Sequence, residues 1–340
     1  MQPLRPPYLL FLGACADPME AKTAHGLSYW RPEFCLGQYR LPGCTVDLGL
    51  PDLGLHEARE RGVRTLVVGI ANHGGRLDPG WFPTLLAAAE LGLDIVSGLH
   101  DRLTSVPELA AVAERAGGRL YDVRHQQRRL RIGSGEFRPG KRILTVGTDC
   151  MVGKKFTALA LEREMRARGM NADFRATGQT GIMIAGEGIA LDAVPGDFQA
   201  GVVEALCPAN APDHWDVIEG QGSMLSPITS TPLGLLNGAQ ADALVLCHNP
   251  ARRHYHGLPH HSLASIQEVM DINLYFARRR RPAVRFLGIS VNTSELSPAE
   301  VQRIRQELRE SLALAVVDPL ADGVAPLVDA LSQLPESAVS

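Results

Sequence analysis

Short apolar runs closed by glycine or polar turn residues recur along the first 125 residues. They fall at 9–12, 65–70 and 94–96, and their length and closure predict buried β-strands. Between them the apolar positions change to helical spacing over residues 81–91. Ser105-Val106-Pro107-Glu108 has the pattern of a capping box opening a helix that stops at Gly117-Gly118. Strands alternating with helices of this length imply parallel pairing and an α/β fold.

The segment 131–141 (RIGSGEFRPGK) mixes Gly, Ser, Pro and charge without periodicity, which predicts a linker and a boundary near residue 138. The expected organisation is therefore a Rossmann-like domain over 1–138 and a P-loop NTPase-like parallel-sheet domain over 139–340. In the second half the alternation restarts with a strand at 143–146, a helix at 155–168 ending at Gly169, and strands at 174–176, 217–218, 243–247 and 286–291. Its last clear helix opens on Ser297-Pro298-Ala299-Glu300, a capping box with Pro at the first helical position.

Two domains suit a chain of 340 residues, more than one core usually covers. With 45% apolar and 21% charged residues the chain reads as folded, and a net charge of −3 supplies no field for nucleic acid or an anionic membrane. No stretch approaches the ~20 apolar residues of a membrane helix. Leu12-Gly13-Ala14-Cys15 resembles a lipoprotein cleavage site, but the apolar run before it is short and Pro6 and Pro7 interrupt its approach, so it reads as a first strand. The six cysteines form no C-x-x-C pair, which suits a reducing cytoplasm. Enzymes of this size are often symmetric, which sets the expectation of a homo-oligomer.

The strongest chemical signal is Gly147-Thr148-Asp149-Cys150-Met151-Val152-Gly153-Lys154-Lys155-Phe156-Thr157, between a predicted strand and a predicted helix. Such a loop turns backbone N–H groups inward, the helix N-terminus adds its positive end, and Lys154 supplies a fixed charge for phosphate oxygens. Five residues rather than four separate the glycines, a spacing that resembles dethiobiotin synthetase and its relatives among P-loop proteins. Lys155 departs from that pattern, because it stands where a Ser or Thr hydroxyl normally holds Mg²⁺. A second ammonium there repels a cation. Either Thr157 recovers the metal ligand, or the loop holds a pyrophosphate without metal.

Other strand exits add candidates. Glu219-Gly220-Gln221-Gly222-Ser223 resembles the acidic-glycine motif of dethiobiotin synthetase and offers Glu219 as general base or metal ligand, with Asp197 as a second acid if Mg²⁺ is used. Thr177-Gly178-Gln179-Thr180-Gly181 is placed to bind substrate at a sheet's carboxyl edge. In the run 248–261, Arg252 and Arg253 offer guanidinium forks for a carboxylate or phosphate, while His254 and His256 can take a proton near neutral pH. If the likeness to dethiobiotin synthetase extends to the purine loops, Asn292 and Asp318 face an adenine. The exits 70–75, which include His73, and 97–100 are common Gly-rich turns and receive no role.

Residues 16–24 (ADPMEAKTA), Tyr29-Trp30-Arg31-Pro32, the loop from Gly147 to Lys155 and the run from Arg252 to His261 together resemble a two-domain bacterial and archaeal family with a Rossmann-like N-terminal and a P-loop C-terminal domain, some of whose members are named D-glutamate N-acetyltransferases. The resemblance spans nearly the whole chain. It implies acetyl transfer from acetyl-CoA to the amino group of a D-amino acid such as D-glutamate. The competing expectations are an ATP- and Mg²⁺-dependent ligase with Thr157, Asp197 and Glu219 as metal ligands, and a nucleotide-binding regulatory protein.

Overall fold

The computed structural model describes residues 4–72, 74–125 and 130–334, so His73 lies outside the described residues. Contacts divide the chain into two compact units. The first comprises residues 1–128 and 178–193, and the second 129–177 and 194–340.

Among the described residues the first unit holds a five-stranded parallel sheet. Its strands are β1 (Tyr8–Gly13), β2 (Cys35–Arg40), β3 (Thr65–Val68), β4 (Asp94–Ser97) and β5 (Leu120–Asp122), in spatial order β2-β1-β3-β4-β5. The apolar run before Cys15 forms β1, and all six residues of the strand are buried. A parallel strand covered on both faces needs such an unbroken apolar run rather than alternation. The helix Phe82–Glu90 and the helix Pro107–Ala116, which ends on Gly117 in the left-handed region, agree with the sequence pattern.

The capping box at Ser105 does not form. Val106 is the cap residue, without a side-chain bond, because Ser105 ends a 3-10 turn and donates its hydroxyl to the Arg102 carbonyl at 2.7 Å. Pro107, which needs no N–H partner at the first helical position, starts the helix instead.

The second unit holds a six-stranded parallel sheet among the described residues. It consists of β6 (Lys141–Gly147), β7 (Ala172–Arg175), β8 (Trp215–Ile218), β9 (Ala243–His248), β10 (Arg285–Val291) and β11 (Ala315–Val317), in spatial order β11-β10-β9-β6-β8-β7. Strand β6 is central and pairs with β8 on one side and β9 on the other. The loop leaving its carboxyl end is flanked by the exits of both, the place where open α/β sheets bind ligands. The capping box at Ser297 forms as expected and opens the helix Pro298–Leu312.

The segment expected to be a linker has no regular structure before β6, but it is tied to the second unit. Ser134 N donates to Glu204 Oε2 at 2.7 Å and Arg138 Nη2 to the Gly238 carbonyl at 2.6 Å. Arg142, with no exposed surface, donates to the Arg138 and Pro139 carbonyls at 3.1 Å each, which offsets the cost of burying its guanidinium.

Candidate functional site: the loop after β6

The loop from Gly147 to Gly153 closes on itself before the helix Lys154–Ala167 begins. Its last residue takes a φ of +103°, a conformation that only glycine adopts without strain. Within the loop Thr148, Asp149 and Val152 are buried. Lys154 is 6% exposed and donates its Nζ to the Asp149 carbonyl at 2.6 Å. Burial holds this ammonium below the usual lysine range. A buried cation with a neutral carbonyl as acceptor is an arrangement that an anionic ligand relieves.

Gly220, at the exit of β8, donates its N–H to Thr145 Oγ1 at 2.9 Å. A Cβ there would overlap the Thr145 carbonyl and sit 2.9 Å from Lys154 Cδ, so only glycine lets this exit lie against the lysine stem. The preceding Glu219 is buried and accepts from the Thr177 amide at 2.9 Å through Oε2. Thr177 in turn donates its hydroxyl to the Glu219 carbonyl at 2.6 Å and receives Gln221 Nε2 at 3.0 Å.

On the β9 side the loop is bound to Arg252 and His256. Asp149, without exposed surface, accepts Arg252 Nη1 at 3.0 Å and the His256 amide at 2.7 Å, both on Oδ2. Arg252 Nη1 also donates to the Cys150 carbonyl at 2.7 Å. Asp149 Oδ1 is buried without a hydrogen-bond partner. The fork expected to capture substrate is thus occupied in bracing the loop at Arg252, while Arg253, His254 and His256 are exposed.

His248, at the end of β9, places Nδ1 3.0 Å from Thr148 Oγ1. Its pKa is pushed down to about 4, first by burial and then by the Arg253 guanidinium, from an ordinary value of 6.5. The unfolded chain therefore binds the extra proton. This contribution is complete above pH 6.5, and as the pH falls through 6.5 towards 4 it declines by up to ~3 kcal/mol. Denaturant melts at pH 7 and 4.5 are expected to show a smaller acid loss for His248→Asn than for the wild type; equal losses would contradict it.

Several predicted residues are held by other contacts. Thr157 is fully buried, donates to the Gly153 carbonyl at 3.0 Å and lies 2.8 Å from Ser290 Oγ, so its hydroxyl serves the packing of helix on sheet rather than the rim of the loop. Lys155 Nζ stands 5.1 Å over the Phe156 ring. Asp197 is exposed in the first turn of the helix Gly196–Leu206. Asn292 and Asp318 follow β10 and β11. Asn292 Oδ1 accepts from Ser294 N at 3.1 Å, and Asp318 accepts from Thr293 N and Oγ1, Leu320 N and Ala321 N, which makes its carboxylate a clip between two loops. Gly178, Gln179, Thr180 and Gly181 fold with the first unit, where Gln179 opens the helix Gln179–Ala185 and Thr180 Oγ1 lies 3.0 Å from Thr23 Oγ1. Among the described residues no three His, Cys, Asp or Glu side chains gather as a metal-ligand set. Thr145, which joins loop and β8 exit through one hydroxyl, went unnoticed because a threonine inside a strand carries no pattern of its own.

Comparison with known proteins places this geometry in context. Residues 131–328 match the P-loop domain of DUF1611, described as a domain of unknown function, and residues 39–126 match its Rossmann-like N-terminal domain. A protein of Tritonibacter scottomollicae named D-glutamate N-acetyltransferase is 48% identical over 96% of this chain and 98% of its own length. One of the same name from a Pseudoalteromonas species is 45% identical over 96% and 98%. The crystal structure of a DUF1611 protein from Anabaena variabilis superposes with a TM-score of 0.88 at 30% identity, covering 97% of this chain and all of that one.

Proposed function

The chain belongs to the two-domain DUF1611 family, and from that premise we propose that it is an N-acetyltransferase that moves the acetyl group of acetyl-CoA to the amino group of D-glutamate. The observation that carries the reading is the buried Lys154 beneath a loop that opens a helix. That chemistry accepts phosphate oxygens, which coenzyme A supplies as a pyrophosphate. With Thr157 engaged in the helix–sheet contact and Lys155 at the usual metal-ligand position, the residues present suit an anion held by backbone amides and ammonium groups.

In the reaction the amine nitrogen bonds to the thioester carbonyl carbon, the carbon–sulfur bond breaks, and the proton lost by the amine leaves with the thiol. A base must take that proton first. Glu219 is the buried carboxylate nearest in sequence to the glycines against Lys154, and its Oε2 is fixed by the Thr177 amide. Glu219→Gln, of nearly the same shape, is expected to lower kcat by about a hundredfold with little change in the KM for acetyl-CoA. Unchanged turnover would move the role to His254 or His256.

The reading keeps to a small acidic amino acid as partner and to the cytoplasm as location. No described helix is long and apolar enough to cross a membrane. Mass-spectrometric detection of product from acetyl-CoA and a panel of D- and L-amino acids tests it. Acetylated D-glutamate is expected; no acetylated member of the panel would overturn it.

A further inference from the structure

The first unit contains a cavity of its own, about 120 Å³ in volume. Drug-sized ligands occupy pockets of about 300–1,000 Å³, so this one suits a molecule of few non-hydrogen atoms. It is lined by Lys22, Asn72, Gly98, His100, Arg124 and Gln179, among others. Lys22 opens the helix Lys22–Trp30 after β1; Asn72 follows β3, Gly98 and His100 follow β4, and Arg124 follows β5. The cavity therefore lies at the carboxyl ends of a sheet whose order, β2-β1-β3-β4-β5, changes direction between β1 and β3. That is where such sheets bind ligands.

Besides Asn72 and His100, the wall carries two kinds of polar side chain. Lys22 and Arg124 are cationic. Arg124 is oriented by donating Nε to the Gly98 carbonyl at 2.5 Å and by an ion pair with Asp192. Gln179 is only 7% exposed, and its Oε1 has no hydrogen-bond partner. Buried acceptors are nearly always satisfied, so an orphan on a cavity wall points to a donor supplied from outside. The wall is also shaped around this amide: a Cβ on residue 98 would come 2.7 Å from Gln179 Cβ, so glycine at that exit makes room for it.

Two cationic side chains, Arg124 already paired with Asp192, and an unsatisfied acceptor in one small cavity match a ligand that carries both carboxylate and ammonium groups. We infer that this cavity binds an acidic amino acid, with its carboxylates facing Lys22 and Arg124 and its ammonium donating to Gln179 Oε1. That the bound amino acid is the acetyl acceptor rests on the function proposed above; that the cavity takes one does not.

Titration calorimetry on the full chain with D-glutamate, glutarate and inorganic phosphate tests it. D-Glutamate is expected to bind, and Lys22→Met to weaken it by about tenfold or more. Gln179→Leu is expected to weaken D-glutamate but leave glutarate, which lacks the ammonium group, nearly unchanged. Lys154→Met is expected to leave D-glutamate binding intact. Wild-type affinity in both Lys22→Met and Gln179→Leu would overturn the inference, as would phosphate binding as tightly as D-glutamate, or loss of D-glutamate binding in Lys154→Met. Should one of the two cavity variants fail to fold, the other decides. Binding weakened by the cavity variants without acetylated product would overturn the transferase reading alone, and product with binding unaffected by both cavity variants would overturn only this assignment.

Discussion

Lys154→Met is expected to lower acetyl transfer by on the order of a hundredfold or more, while leaving the melting temperature unchanged or raised. The two halves of this prediction share a cause. In the free protein the ammonium is buried against the Asp149 carbonyl, and burial already holds its pKa down, so the charge is a local cost to folding. An unbranched apolar side chain of similar length removes that cost and fills the same space. What it cannot do is meet a phosphate oxygen. Activity with acetyl-CoA and a thermal melt on the same preparation check the prediction. Full activity in the variant would dismiss the loop as the anion site, and a large drop in melting temperature would show that Lys154 is chiefly structural.

Asp149→Ala is expected to destabilise the chain by about 2–4 kcal/mol and to weaken acetyl-CoA binding together with it. The carboxylate receives both the Arg252 guanidinium and the His256 amide, so its removal leaves a mostly buried cation facing a carbonyl alone and releases the His256 amide from the loop. For a domain of this size the loss corresponds to roughly 5–10 °C in melting temperature. Asp149→Asn keeps an acceptor for the amide and should lose less. A melting temperature unchanged in Asp149→Ala would contradict the bracing role.

Much of this architecture is legible in the pattern of the sequence because the features that betray it are local. An unbroken apolar run reports a strand buried on both faces, as in β1, and Ser297 with Glu300 reports a cap whose two partners lie three residues apart. The loop at Gly147 is readable for the same reason, with strand, glycines and lysine contiguous. Strand β2 is not, since Cys-Leu-Gly-Gln-Tyr-Arg neither alternates nor runs apolar and is held by its neighbour β1. Ser105 shows a local signal losing to a local competitor, the proline two residues on.

The partners of charged groups are the least readable, because they are chosen across the fold. Arg252 has the chemistry of a substrate fork, yet its partner is an aspartate more than a hundred residues earlier in the chain. Asp318 accepts four donors from two loops, Thr293 N and Oγ1 after β10 and Leu320 N and Ala321 N after β11. Gln179 sits in what reads as the turn of the second unit's sheet, and the chain returns it to the first. No spacing rule marks that return, and the cavity it completes was hidden for that reason.

The central claim is that the loop after β6 takes the phosphates of acetyl-CoA on its amides and on Lys154. Titration calorimetry of the wild type and of Lys154→Met with acetyl-CoA, with ATP, and with ATP plus Mg²⁺ tests it most directly. Acetyl-CoA is predicted to bind the wild type without added metal and to lose that binding in Lys154→Met. Binding of ATP only when Mg²⁺ is present, with none of acetyl-CoA, would contradict it.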